Sequence, residues 1–253
     1  PGTGDGEALV VKLYDRGVAN PMFPNDPQAE ARTLRHLAGH AVAPDPRALV
    51  ETPAGPCLVY GYVPGVAWQG DPAPVARLLR RLHRLPGPGW LRGLPGDAAD
   101  VVARTGHILD HLPGRRAADH RALRPRAVPP PASHRAALLH GDVVPGNLVM
   151  AEGRATLIDW QCPARGDPAE DLALFLSPAM QQLYRGRSLT ASEYITFLDA
   201  YDDPETLSRL RALAPWHHWR MAAYCLWRIH RGAHEYAAGY ELERAALLEV
   251  CRA

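Results

Sequence analysis

The sequence predicts an α+β fold, with a small sheet and one helix ahead of a larger, mostly helical region. Three observations carry this expectation. Two apolar runs near the N-terminal end, Ala8 to Tyr14 and Pro56 to Val63, have the length and β-branched content of strands. A second pair of short strands, Val149-Met150 and Thr156 to Ile158, flanks a Glu152-Gly153 turn. From Asp167 onward, apolar residues recur at helical spacing behind Asp and Thr caps.

Pro1 is not a translation start, so residues upstream are expected to be missing, and Pro1 to Glu7 is read as a turn leading into a strand. Gly2, Gly4 and Gly6 do not make a phosphate loop, because no Gly-Lys-Ser/Thr follows them. Alternation from Ala8 to Tyr14 puts Leu9, Val11 and Leu13 on one face and Val10, Lys12 and Tyr14 on the other. A lysine in mid-strand beside valines must reach water or an anion. Asp26-Pro27 then opens a helix as N-cap and first position, which runs to about Ala38 and ends at Gly39. Glu30 shares the buried stripe of that helix with Leu34 and Leu37. A dry, unpaired carboxylate costs several kcal/mol, and Lys12 is its candidate partner.

Pro64-Gly65 stops the strand that begins at Pro56. From Asp71-Pro72 a helix follows with Val75, Leu78, Leu79 and Leu82 on one stripe, and Arg77, Arg80, Arg81 and Arg84 as a solvated face. Gly87 to Gly96 is a loop and Val101 to Leu112 a helix. The prolines between Arg124 and Ala132 make that segment a connector delivering Ala136 to His140 into the core.

The chemistry concentrates between Leu138 and Trp160. With the hairpin turn on Glu152-Gly153, Asn147 falls opposite Ile158, one step from Asp159. Residues directly across an antiparallel pair sit roughly 4.5–5.5 Å apart. The amide and the carboxylate therefore meet at the open end of the hairpin. Two oxygen ligands there suit Mg²⁺, which completes its shell with water and phosphate oxygens. Asp142 lies in a loop that brings it to the same mouth.

His140-Gly141-Asp142, Asn147 and Ile158-Asp159-Trp160 together resemble the aminoglycoside phosphotransferase and choline kinase branch of the protein-kinase-like enzymes. The resemblance implies a protein-kinase-like two-lobed fold, with residues 1–62 as a small N-terminal lobe and 63–253 as the C-terminal lobe. It implies transfer of the γ-phosphate of ATP, or another nucleoside triphosphate, to a hydroxyl of a small molecule. Asp142 would be the base, and Asn147 and Asp159 the Mg²⁺ ligands. Lys12 would hold the nucleotide phosphates with Glu30 fixing it, and the main chain of Gly61 and Val63 would bind adenine. His140 would shape the catalytic loop without touching metal. The Gly166-Asp167-Pro168 to Ala173 stretch matches the family, in which its last acid, Asp171 here, braces that loop. From the residues alone, Asp167 and Glu170 read as a capping box.

Thr190 to Glu193 is another capping box, Asp203-Pro204 starts a further helix, and Trp216 to Ala237 forms a long aromatic-rich helical pattern. In the family the C-terminal helices build the acceptor pocket. Trp216, Trp219, Tyr224 and Trp227 offer cation–π contacts, and Asp199, Asp202 and Asp203 offer acids, yet core packing accounts for most of the aromatics. Two departures from the family stand out. No glycine-rich hairpin precedes Lys12, and Val143-Val144 replaces the usual Leu-His.

A net charge of +1 disfavours nucleic acid or an anionic membrane as partner. The four cysteines, Cys57, Cys162, Cys225 and Cys251, follow no metal-ligand or disulfide pattern, and no apolar run reaches membrane-spanning length. A cytoplasmic protein with free thiols is the expectation; nothing in the sequence fixes its oligomeric state. Two rival functions remain at this point: a kinase-like nucleotide-binding or regulatory protein without turnover, and a metal-dependent phosphoesterase.

Overall fold

The computed structural model describes residues 7–15, 20–126 and 131–252. The turn expected at Pro1 to Glu7 lies outside these except for its last residue, as do Pro129 and Pro130 of the connector. The N-terminal sheet consists of β1 (Leu9–Leu13), β2 (Pro46–Thr52) and β3 (Gly55–Gly61), antiparallel in the order β1-β3-β2. Lys12 of β1 sits opposite Leu58 of β3. The alternation expected in β1 is present: Leu9, Val11 and Leu13 are exposed, while Tyr14 is buried.

Helix α1 (Pro27–Leu37) crosses this sheet. Asp26 caps it by accepting the main-chain N–H groups of Gln28 and Ala29, and Pro27 occupies the first turn. Strand β2 escapes sequence reading because PRALVET does not alternate cleanly between buried and exposed positions, and a bulge falls between Pro46 and Ala48.

The larger region begins with β4 (Val66–Ala67) and α2 (Ala73–Leu82), whose Val75, Leu78, Leu79 and Leu82 are all buried. Next come β5 (Arg92–Leu94), α3 (Ala98–Asp110), α4 (Gly114–Arg121) and β6 (Ala137–Leu139). A 3-10 turn at Pro145–Asn147 leads into the hairpin of β7 (Leu148–Ala151) and β8 (Arg154–Leu157). Its register pairs Leu148 with Leu157 and Ala151 with Arg154, as a Glu152-Gly153 turn requires. Strand β9 (Ala164–Gly166) then pairs in parallel with β5 and antiparallel with β6.

Five helices complete the described chain: α5 (Ala169–Leu176), α6 (Pro178–Arg185), α7 (Ala191–Tyr201), α8 (Pro204–His230) and α9 (Tyr236–Val250). The Thr190–Glu193 capping box is formed in full. The pattern read from Trp216 to Ala237 is corrected. Trp216 lies in the middle of α8, which runs through Pro215, and the helical break falls after Arg231, where Gly232 takes φ 90°. Helix α8 is the spine of this region, packed chiefly against α9, α3 and α5. Trp216, Trp219 and Trp227 are buried there, so they serve as core. Asp203 is also withdrawn from solvent. It caps α8 through Thr206 N–H and holds Arg80 and Arg135 at 2.6 Å each.

Candidate active site

Glu30 joins the two sides of the site. Its Oε2 accepts from Lys12 Nζ at 2.7 Å and from the Tyr14 hydroxyl, and its Oε1 accepts from the Trp160 main-chain N–H at 3.1 Å. Only 1% of Glu30 is exposed, so these three donors take the place of water. Lys12 also reaches Asp159, the neighbour of Trp160. Burial pushes the Lys12 ammonium down, but the Glu30 and Asp159 carboxylates outweigh it and leave its pKa raised, so it stays charged.

Asp159 sits at the end of the hairpin with φ 62°, a left-handed conformation that Asp tolerates better than most residues. Across from it, the Ile158 N–H donates to the Asn147 carbonyl at 3.0 Å, continuing the hairpin register to the expected neighbours. The Asn147 amide nitrogen donates to the Asp142 carbonyl at 2.9 Å and to Asp142 Oδ2 at 3.2 Å. This fixes the amide orientation and leaves Oδ1 as the atom free to meet a cation. Asp142 takes a pKa of about 7, raised first by burial and then by the Asp159 charge, against the Asn147 hydrogen bond. Among the described residues no cluster of three or more His, Cys, Asp or Glu is placed to hold a metal. A pair of oxygen donors, Asn147 Oδ1 and Asp159, fits a hard ion that takes its other ligands from phosphate and water.

The conformation of the loop carrying Asp142 is enforced by Asp171. Asp171 Oδ1 accepts from Gly141 N–H at 2.9 Å, and its Oδ2 accepts from His140 N–H at 2.8 Å while lying 3.1 Å from His83 Nε2. Gly141 has φ 79°, and a Cβ there would stand 2.1 Å from the Cys162 carbonyl, so only glycine fits. His140 is wholly buried. Its Nδ1 accepts from Asp142 N–H at 3.2 Å and its Nε2 donates to the Ile158 carbonyl at 3.0 Å, a pattern for a neutral ring that shapes the loop.

The capping box read at Asp167 and Glu170 does not form. Asp167 Oδ1 does accept from Ala169 N–H, but its Oδ2 binds Arg209 at 2.6 Å. The Glu170 side chain turns to Arg104 at 2.8 Å and Arg220 at 2.9 Å. Two guanidinium groups, that of Arg220 buried and that of Arg104 partly so, hold Glu170 better than one backbone N–H would.

At the predicted hinge, Gly61 gives its N–H to the Asp45 carbonyl at 2.8 Å and Tyr62 gives its own to Ala8 at 2.9 Å. The Val63 N–H has no main-chain acceptor among the described residues. Of these three N–H groups, that of Val63 alone is uncommitted to main chain among the described residues.

Tyr184 on α6 escaped the sequence reading, since nothing in its local pattern sets it apart from a surface residue. Its ring covers Gly146 of the loop, and its hydroxyl is pushed up to about 12, first by burial and then by Asp142.

Comparison with known proteins bears on this geometry. The model of the phosphotransferase enzyme family matches residues 2–213. Thiamine kinase of Shigella boydii is 32% identical over 185 residues, which is 68% of this chain and 62% of that protein. The chain thus spans about three fifths of the curated relatives it matches. A choline/ethanolamine kinase family protein from Mesorhizobium loti superimposes with TM-score 0.64 at 18% identity, covering 98% of this chain and 83% of that one. An aminoglycoside phosphotransferase from Streptomyces rimosus, in complex with ADP and streptomycin, gives 0.54 at 21% identity, with 87% of each chain covered. These likenesses establish the α+β, two-lobed, protein-kinase-like fold.

Proposed function

From the premise that this chain belongs to the phosphotransferase enzyme family, we propose that it moves the γ-phosphate of ATP to a hydroxyl group of a small molecule, with Mg²⁺ as cofactor. The reading rests on one convergence. Lys12, Glu30 and Asp159 form a single charged cluster, beside a loop in which Asn147 grips Asp142.

In this scheme the N-terminal lobe, residues 1–62, carries the nucleotide phosphates on Lys12, and Glu30 keeps that ammonium in place. The Val63 N–H and the Gly61 carbonyl border the base. Asn147 Oδ1 and the Asp159 carboxylate would hold Mg²⁺, which supplies charge neutralisation at the phosphates when bound. Asp142 orients the acceptor O–H and takes its proton as the oxygen bonds to phosphorus and ADP departs. Positioning and electrostatics do most of the work in such a transfer.

No described helix is long and apolar enough to cross a membrane, and we place the reaction in the cytoplasm. The test is ADP release against a panel of alcohols, with product identified by mass. Acceptor-dependent ADP release that disappears in Asp142→Asn supports the reading. Nucleotide binding without consumption under any acceptor would replace it with that of a non-catalytic nucleotide binder.

A further inference from the structure

A cleft of about 870 Å³ opens between the Asn20–Asn25 segment, the C-terminal end of α3 and the C-terminal end of α8. Its walls carry Arg228 and Arg231 together with His107, His111 and His230; among the described residues Asp15 is the one lining acid, and Glu235 lies near enough to act on Arg228. Arg228 is shaped for recognition. Its guanidinium lies 4.7 Å from the Tyr236 ring centroid and donates to the Tyr224 hydroxyl. Asn20 Nδ2 reaches the same hydroxyl at 3.2 Å. Among the described residues neither Arg228 nor Arg231 has a carboxylate within 4.0 Å, unlike Arg80, Arg104, Arg135, Arg209 and Arg220.

Cations at helix C-termini complement the helix dipole, which gives each of these residues a local reason to be there. That reason does not account for basic side chains from two helix ends sharing one cleft, with Arg228 held by tyrosines and not by the last carbonyls. The wall of the cleft also approaches the loop that carries Asp142: Phe23 lines the cleft and, together with Gly141, a second small cavity. Tyr184, whose ring covers Gly146, lies close enough to feel Asp142 and Asp159 on one side and Arg228 and Tyr236 on the other.

We propose that this cleft receives the acceptor, and that the acceptor is an alcohol carrying a carboxylate or phosphate group bound by Arg228 and Arg231. The inference rests on the phosphotransferase reading above and narrows its substrate class. It sets this chain apart from the thiamine kinase and choline/ethanolamine kinase relatives. A guanidinium offers paired donors that match either oxyanion, and it repels a quaternary ammonium.

The anion site is read first without turnover. In the full chain, the imidazole resonances of His107, His111 and His230 are followed by NMR as inorganic phosphate is added at fixed ionic strength. A saturable shift is expected, weakened about tenfold or more in Arg228→Gln and in Arg231→Gln. No saturable shift, or one unchanged in both variants, overturns the proposal. Turnover is then measured with glycerate, glycerol phosphate, glycerol and choline. The anionic alcohols should be preferred, with Arg228→Gln raising their KM while kcat changes little. Preference for choline or glycerol overturns the anionic acceptor and leaves the phosphotransferase reading standing. If no alcohol accepts phosphate, that reading fails, and the phosphate titration alone decides the anion site.

Discussion

Lys12 Nζ stands 2.7 Å from Glu30 Oε2, and through that pair the edge strand β1 is tied to helix α1. The pairing answers the problem posed by a carboxylate in an apolar stripe: Glu30 is buried because it is paired. If Lys12 holds the nucleotide phosphates as proposed, replacing it by Met removes a charge-assisted contact worth about 1.5–3 kcal/mol. The affinity for Mg-ATP should then fall by on the order of ten- to a hundredfold, as calorimetry would read. Glu30→Gln should weaken binding less, because it releases the lysine without removing it. Unchanged affinity in Lys12→Met would remove Lys12 from the nucleotide site.

Asp142→Asn leaves an oxygen to accept the Asn147 hydrogen bond but removes the carboxylate proposed to take the acceptor proton. A positioned general base contributes about 10²–10⁴-fold, so kcat should drop within that range while nucleotide affinity holds. A rate near that of the wild type would show that Asp142 takes no proton.

The carboxyl of Asp142 should titrate near pH 7 in the ligand-free chain, followed by carbon NMR. Burial is the larger cause and the Asp159 charge the second, so Asp159→Asn should lower the midpoint without returning it to 3.8. The sign is fixed by like charges: a neutral neighbour makes a second anion easier to form. A midpoint that rises or stays in place would mean the two carboxylates do not sense each other.

How much of this was legible in the sequence depends on which interactions fix each feature. The hairpin register follows from one turn, Glu152-Gly153, so Asn147 and Asp159 could be set together without coordinates. The Lys12–Glu30 pair followed from a cost argument, since each residue sat where a lone charge is not tolerated. What failed was settled by tertiary partners. Glu170 has the spacing of a capping residue, but Arg104 and Arg220 arrive from distant helices and claim it. Pro215 removes one N–H from α8, yet the buried Leu213 before it and Trp216 and Trp219 after it carry the helix through. Tyr184 and Arg228 gain their meaning only from the loop and cleft they face.

Asp171 is fully buried, and its carboxylate accepts the consecutive N–H groups of His140 and Gly141. Asp171→Ala would strand both donors and the His83 ring, each costing about 1–3 kcal/mol. Unfolding by urea should report a loss of several kcal/mol, and whatever folds should turn over poorly because the loop carrying Asp142 is no longer held. A stable, active variant would show that the loop keeps its shape without this brace.

Acid stability offers a test of the buried cluster behind the loop. His217 is held neutral, its pKa lowered to about 3, first by burial and then by Arg220 and Arg104 against the Glu170 charge. The unfolded chain protonates this ring near 6.5, so between about pH 6.5 and 3 it binds a proton that the folded chain refuses. Stability should therefore be complete above pH 6.5 and fall as pH drops through that window, by up to about 1.4 kcal/mol per pH unit for one such group. Glu170, held well below its usual value by Arg104 and Arg220 despite burial, adds a loss of the same sign, but only near and below its ordinary pKa of 4.5. Measuring between pH 6.5 and 5 separates the two. His217→Leu also discards a ring nitrogen, Nε2, that has no hydrogen-bond partner among the described residues, at the expense of the 3.1 Å contact from Arg220 to Nδ1. Urea midpoints for the variant should change less over that interval than those of the unaltered chain. Equal slopes would mean His217 is protonated in the folded protein, and the charge balance of the Glu170 cluster would have to be redrawn.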